Sequence, residues 1–270
     1  AVDVKYQIAS LTVNTAGIGL RRELVVLSPN VYGSGENYDG SIVQDRVYID
    51  FNLNTLNRHY YAHSGSKVNM SLSYFFNNAP DFKLISRDSL NGGFTSRDMT
   101  NALEDSLITS RYLQFKLLSS RYIHINKKGT LVLGLYSGFT FNPFKPEANA
   151  NTVFNNFMLG GLVPNFRNQI PFVGLSDFQI RTNNFIGAQF GYQYELSKNL
   201  FITPKINLGY HNNNFVRYFT SNDVLKSSNQ LFGIGITGGF NSILGPLDFT
   251  IMRSTQLNSF VFYVNLGYNF

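Results

Sequence analysis

The sequence predicts an all-β fold: an antiparallel transmembrane β-barrel with about 10–12 countable strands and long loops at one end. Three observations predict it. The chain ends on Phe260, Phe262, Val264, Leu266, Tyr268 and Phe270 alternating with Val261, Tyr263, Asn265, Gly267 and Asn269, which are smaller or more polar on average. A period of two with one apolar face is a strand, and about ten residues is the length a tilted strand needs to cross a bilayer. Second, similar stretches recur along the chain, and their connections are alternately short and long. Third, no apolar run reaches the length of a membrane-spanning helix, while the mean hydropathy is slightly negative. A barrel accommodates both facts, because lipid-facing and lumen-facing residues average out.

Composition narrows the function classes. The 270 residues include 25 Phe and 16 Tyr, a load suited to the aromatic girdles of a barrel, and no Cys. Disulfides, thiol catalysis and thiolate metal sites are thereby excluded. The net charge of +6 fits a solvated basic surface and lumen, or contact with outer-membrane lipid and lipopolysaccharide headgroups. No basic cluster accompanies a recognition motif, so no nucleic-acid partner is expected. No signal peptide is visible at Ala1, as in a mature chain or one whose targeting segment has been removed.

Taken in order, residues 2–13 alternate as Val2, Val4, Tyr6 and Ile8 against Asp3, Lys5 and Gln7. They read as a first strand or a periplasmic lead-in over 1–17, with the barrel proper over 18–270. Asn14–Gly17 reads as a tight turn, and 18–28 as a strand whose alternation Arg21, Arg22 and Glu23 blur. Residues 29–42 read as a loop rich in Gly, Asn and Ser. Val47, Ile49, Phe51 and Leu53 mark the next strand, then Val68, Met70, Leu72, Tyr74 and Phe76. A polar insert is expected over 77–109, with a short helix within 96–107. Strands resume at 111–124 and 131–141, separated by a turn at Asn126–Gly129. The longest insert follows at 142–182. Ile186 to Tyr194, Ile202 to Tyr210, Phe232 to Phe240 and Leu247 to Ile251 then precede the last strand.

This gives ten strands plus residues 2–13. Bacterial single-chain barrels have even strand numbers, short periplasmic turns and long extracellular loops. On that rule Phe270 ends at the periplasmic side, and 77–109, 142–182 and 211–229 are extracellular or folded into the lumen. Hydrocarbon leaves edge amides without partners, so the sheet is expected to close.

Residues 157–167 read Phe-Met-Leu-Gly-Gly-Leu-Val-Pro-Asn-Phe-Arg. This resembles the signature of the outer-membrane insertase superfamily, the BamA and TamA class that includes two-partner secretion translocators. There a Leu-Gly-Gly precedes an Arg at the tip of a loop folded into the barrel. Gly160, Gly161 and Arg167 match, while Asn168 replaces the motif glycine. The segment 233–249, with Gly245-Pro246 at its turn, is similar to the family's penultimate hairpin, and Gly267 to Phe270 to its Gly-x-x-Phe ending. The resemblance implies a sixteen-stranded barrel acting in outer-membrane protein assembly or polypeptide translocation. It implies client polypeptides or barrel-assembly partners. The Asn165–Phe172 variant is more similar to the branch forming the barrel of bacterial patatin-like proteins, where the barrel anchors or exports an attached periplasmic or surface domain. The family's loop arginine is held by an acid on a wall strand. The corresponding segment here carries Thr203, Lys205 and Asn207 and no carboxylate. Asp177 and Asp248 are the candidate partners for Arg167, with solvent the alternative.

Arg167, with Gly160 and Gly161 permitting its loop to bend, is the candidate latch; the competing reading is an ordinary loop arginine bonded to carbonyls. His59 and His63 lack a completing carboxylate, so no metal or other cofactor is expected. His211, Ser221 and Asp223 form the one loose grouping compatible with a barrel-embedded hydrolase, and the Gly-x-Ser-x-Gly elbow of a lipase is absent. The chain is read as no enzyme. A narrow porin is the remaining alternative, with Lys67, Asn69, Lys205 and Asn207 facing a channel.

Overall fold

The computed structural model describes residues 2–11, 14–27, 38–84, 111–144, 155–164, 166–213, 229–243, 245–257 and 259–267. Eleven long strands form one antiparallel meander. They are β1 (Val2–Leu11), β2 (Asn14–Leu27), β3 (Tyr38–Asn54), β4 (Gly65–Leu84), β5 (Tyr112–His124), β6 (Gly129–Phe141), β10 (Asn184–Ser197), β11 (Leu200–Asn212), β12 (Gln230–Ser242), β13 (Gly245–Ser254) and β14 (Val261–Leu266). Three short strands between β6 and β10 make a second sheet: β7 (Phe157–Leu159), β8 (Gln169–Ile170) and β9 (Ile180–Thr182).

The sheet is inside out relative to a water-soluble protein. Ile18, Leu20, Ile49, Phe51, Leu72, Phe190, Ile206, Leu208, Ile234, Ile236, Phe249 and Ile251 are exposed on the outer face. Gln44, Ser73, Gln114, Gln193, Thr203, Asn207, Thr237 and Thr250 are buried on the inner one. An apolar face of this extent suits lipid rather than water, as on the outside of a membrane β-barrel.

Several boundaries differ from the sequence reading. Asn14–Gly17 is not a turn but the start of β2, which pairs with β1 from Leu11↔Asn14 to Val2↔Arg22. β3 begins at Tyr38 and β4 runs to Leu84, so these two strands continue through stretches read as loop and insert. A register shift at Asp45/Arg46, opposite Asn77 and Phe75, re-aims the extended arm. The polar composition there misled because the ladder is carried by backbone pairing, which polar residues sustain as well. The helix expected within 96–107 lies outside the described residues.

The blurred alternation of β2 has a physical cause. Arg22 points outward and is held bidentately by Asp45, at 2.7 and 2.8 Å, while Asn77 donates to the same carboxylate. Arg21 and Glu23 point inward and pair with each other at 3.5 Å. The inner face of the first hairpin is cross-linked too: Lys5 reaches Asp50 at 2.8 Å and the Tyr48 hydroxyl donates to Asp3.

β1 and β14 are the outer strands of the sheet, and no ladder joins them among the described residues. The count of eleven is odd where an even, closed set was expected. In hydrocarbon both edges require hydrogen-bond partners. The strand ends joined by the short turns 125–128 and 198–199, with Ser242 and Gly245, lie at one end of the sheet; Leu27 and Tyr38, Leu84 and Tyr112, Phe141 and Asn184, and Asn212 and Gln230 lie at the other.

Candidate functional site

The segment from Asn155 to Asn183 folds against the inner face. β7 pairs in parallel with β8 and antiparallel with β9, which gives the loop its own frame. Its apolar side chains make a core inside the sheet: Phe157, Leu159, Ile170, Phe172 and Leu175 pack with Tyr136, Phe185 and Leu231 of the wall. The wall is shaped to receive it. A Cβ on Gly138 would meet the Phe157 ring at 2.8 Å, and one on Gly233 would meet the Val173 carbonyl oxygen at 1.8 Å. The Asn207 carboxamide oxygen accepts from Val173 N at 3.2 Å, in the orientation that lets its nitrogen donate to the Ile206 carbonyl. Gly174 N lies 3.1 Å from Met252 Sδ.

Gly160 and Gly161 have φ of 126° and 73°, conformations costly to a residue with a Cβ. The bend lets Gly160 N donate to the Ile170 carbonyl and Gly161 N to the Leu175 carbonyl. Gln169 closes it, donating to the Gly160 carbonyl at 2.9 Å and to Asp177 at 2.8 Å.

Arg167 stands beyond this frame, facing β2. Its Nη1 donates to Glu23 Oε2 at 2.9 Å and its Nη2 to Asn155 Oδ1 at 2.7 Å. Lys116 Nζ donates to the Arg167 carbonyl. The partner is therefore Glu23, and neither Asp177 nor Asp248: Asp177 accepts from Gln169, and Asp248 accepts from Tyr61. Asn155 is the hub of the arrangement. It is 2% exposed, donates to Gln44 of β3 and to the Tyr112 hydroxyl of β5, and its carbonyl accepts from Gln114 and Asn168. A buried polar network satisfied on all sides holds one geometry, because leaving any member unpaired costs more than the bond itself contributes. A cavity of about 410 Å³ adjoins it, lined by Arg21, Glu23, Met158, Phe166, Arg167 and Phe178.

Sequence reasoning named Arg167 and its glycines but missed Glu23 and Asn155. The charged run 21–23 was the available signal, since it interrupts an outward apolar row. The other named residues lie apart from this site. Gly245, with φ 101°, and Pro246 open β13 at the short-turn end. Phe260, Phe262, Val264 and Leu266 are exposed on the outer face at β14, with Arg253 over the Phe260 ring at 5.7 Å; Tyr268 and Phe270 lie outside the described residues. Lys67, Asn69 and Lys205 line an inner cavity. His63 is engaged with Thr130, Glu195 and Arg58, and no group of His, Asp and Glu fit for a metal occurs among the described residues. Ser221 and Asp223, the companions considered for His211, lie outside them.

An antiparallel sheet with an apolar outer face, filled by one long loop, defines a class of membrane barrel. The model of the OMP85 superfamily matches residues 36–270, and the chain belongs to that superfamily. It is a family of membrane barrels rather than of enzymes. The match is to the superfamily and does not single out the patatin-associated branch. Among solved structures the chain is similar to CdiB from Acinetobacter baumannii, with a TM-score of 0.50 and 12% identity over 98% of this chain and 50% of that one. It thus spans about half the length of the CdiB chain. The Pseudomonas aeruginosa protein OccD3 (OpdP) has a TM-score of 0.34 and 10% identity, over 93% of this chain and 62% of that one. No curated protein matches the sequence.

Proposed function

We propose that this barrel carries polypeptides into or across the outer membrane, and that its inward loop is the element that sets the working state of the lumen. The observation that carries the proposal is the Arg167–Glu23 pair at 2.9 Å. It fixes the described inward loop to a wall strand far from it in sequence. Membership of the OMP85 superfamily supports the reading, because it supplies the class of activity. The filled lumen argues against a wide passive porin.

In this proposal the short turns and the C-terminus face the periplasm and the long connections face outward, as the loop-length rule requires. The client arrives from the short-turn side. The direct test reconstitutes the full-length protein in liposomes and supplies a small, urea-denatured outer-membrane barrel as client. The wild type accelerates appearance of the folded, heat-modifiable client. Arg167→Ala loses most of that acceleration while keeping its own heat-modifiable migration. A wild type without effect on the client overturns the insertion reading.

A further inference from the structure

The connection between β3 and β4 is the longest described at the short-turn end, residues 55–64 against 125–128 and 198–199. It is not a slack loop. Thr55 N donates to the Ser66 carbonyl and Asn57 N to the Ser64 carbonyl, while Asn57 Oδ1 accepts from the amides of His63 and Ser64. That base is rigid, and it projects three residues away from their own strands.

Those three residues touch the wall opposite. The Tyr61 hydroxyl donates to Asp248 of β13 at 2.7 Å, and its ring stacks on Phe201 of β11 at 4.2 Å with an 11° interplanar angle. The Ala62 carbonyl accepts from Gln193 of β10 at 3.2 Å. His63 reaches Thr130 of β6 at 3.0 Å and Glu195 of β10 at 3.2 Å. In the sheet, β4 and β13 are separated by β5, β6, β10, β11 and β12. A contact between them crosses the lumen instead of following the wall.

The seat is built for the ring. A Cβ on Gly239, opposite Asp248 in the ladder, would meet the Tyr61 ring at 2.6 Å. Tyr61 itself has φ 47°, a left-handed conformation that a tyrosine keeps only where its surroundings impose it. Burial, and then Asp248, push its phenol above the ordinary value, so the hydroxyl remains a donor. Behind it lies a cavity of about 320 Å³, bounded by Tyr60 and Tyr61 on one side and by Leu162 and Val163 of the inward loop on the other. Lys67 and Lys205 line it.

We propose that residues 55–64 form a lid latched across the short-turn mouth of the lumen, with Tyr61 as its bolt, and that releasing the bolt opens the polar chamber to that side. The lid is distinct from the inward loop, which seals the lumen from within. Its test is independent of client transport. The full-length protein is inserted into planar bilayers in potassium chloride and its single-channel currents are recorded. The wild type gives small, brief steps. Tyr61→Ala gives several-fold larger and longer-lived steps, and Tyr61→Phe, which keeps the stack but not the hydrogen bond, lies between. Heat-modifiable migration checks that each variant is folded. If Tyr61→Ala does not fold, Asp248→Asn decides by the same reading. A folded variant with wild-type currents overturns the proposal, because the passage would then be closed by the inward loop alone.

Discussion

At the residue scale the lumen is governed by which charges have partners. Glu23 serves two guanidinium groups, Arg167 at 2.9 Å and Arg21 at 3.5 Å. Both partners of the Arg167 pair keep roughly a third of their side-chain surface, so its coupling is on the order of 1 kcal/mol. Its value lies in position rather than stability. His63 offers a different reading. Burial first, then Arg58, hold its pKa below the ordinary 6.5, with Glu195 opposing and His124 adding to the depression. The folded protein therefore binds this proton less readily than the unfolded chain. The histidine's contribution is complete above the ordinary value and is lost as pH falls through the lower, folded value. Thermal unfolding, followed by loss of heat-modifiable migration, is expected to move to lower temperature between about pH 7 and pH 5. His63→Gln should flatten that dependence; an unchanged slope would show that other groups carry it.

At the element scale the inward loop is held by shape as much as by polar bonds. Gly233 places bare backbone beneath Val173, with no room for a Cβ. Gly233→Val is expected to displace 172–175 and expose the loop to added protease, while the strand ladders of β11, β12 and β13 persist. Limited proteolysis of the folded protein reads this directly, and protection equal to wild type would count against the seat. The strands were legible because an outward apolar row has a period of two, and Val68 to Tyr74 or Phe232 to Ile236 show it without interruption. The extensions of β3 and β4 were not: Tyr38 to Asp45 carries no unbroken row, and the alternation of Pro80, Phe82 and Leu84 with Asp81 and Lys83 is short and set off from Phe76 by two asparagines. The small sheet β7–β9 was equally hidden. Two- and three-residue strands are too short to show any period, and they exist only because the wall supports them.

At the scale of the whole molecule, the alternation of short and long connections announced the barrel, and the family resemblance carried by Leu159-Gly-Gly and Arg167 implied its inward loop. What the sequence could not show was where that loop is tied. Glu23 and Arg167 are 144 residues apart, and an ion pair between distant strands leaves no local pattern. Tyr61 and Asp248, 187 residues apart, are alike in this. Among the described residues, two segments thus enter the lumen, a loop latched on β2 and a turn latched on β13.

The central claim is that the Arg167–Glu23 pair holds the loop in the state that serves client polypeptides. Charge reversal tests it most directly, in the liposome assay with the denatured barrel client. Arg167→Glu and Glu23→Arg singly should each abolish the acceleration, and the double exchange should restore a substantial part of it. Two inactive single variants with no recovery in a folded double variant, or single variants as active as wild type, would contradict the latch.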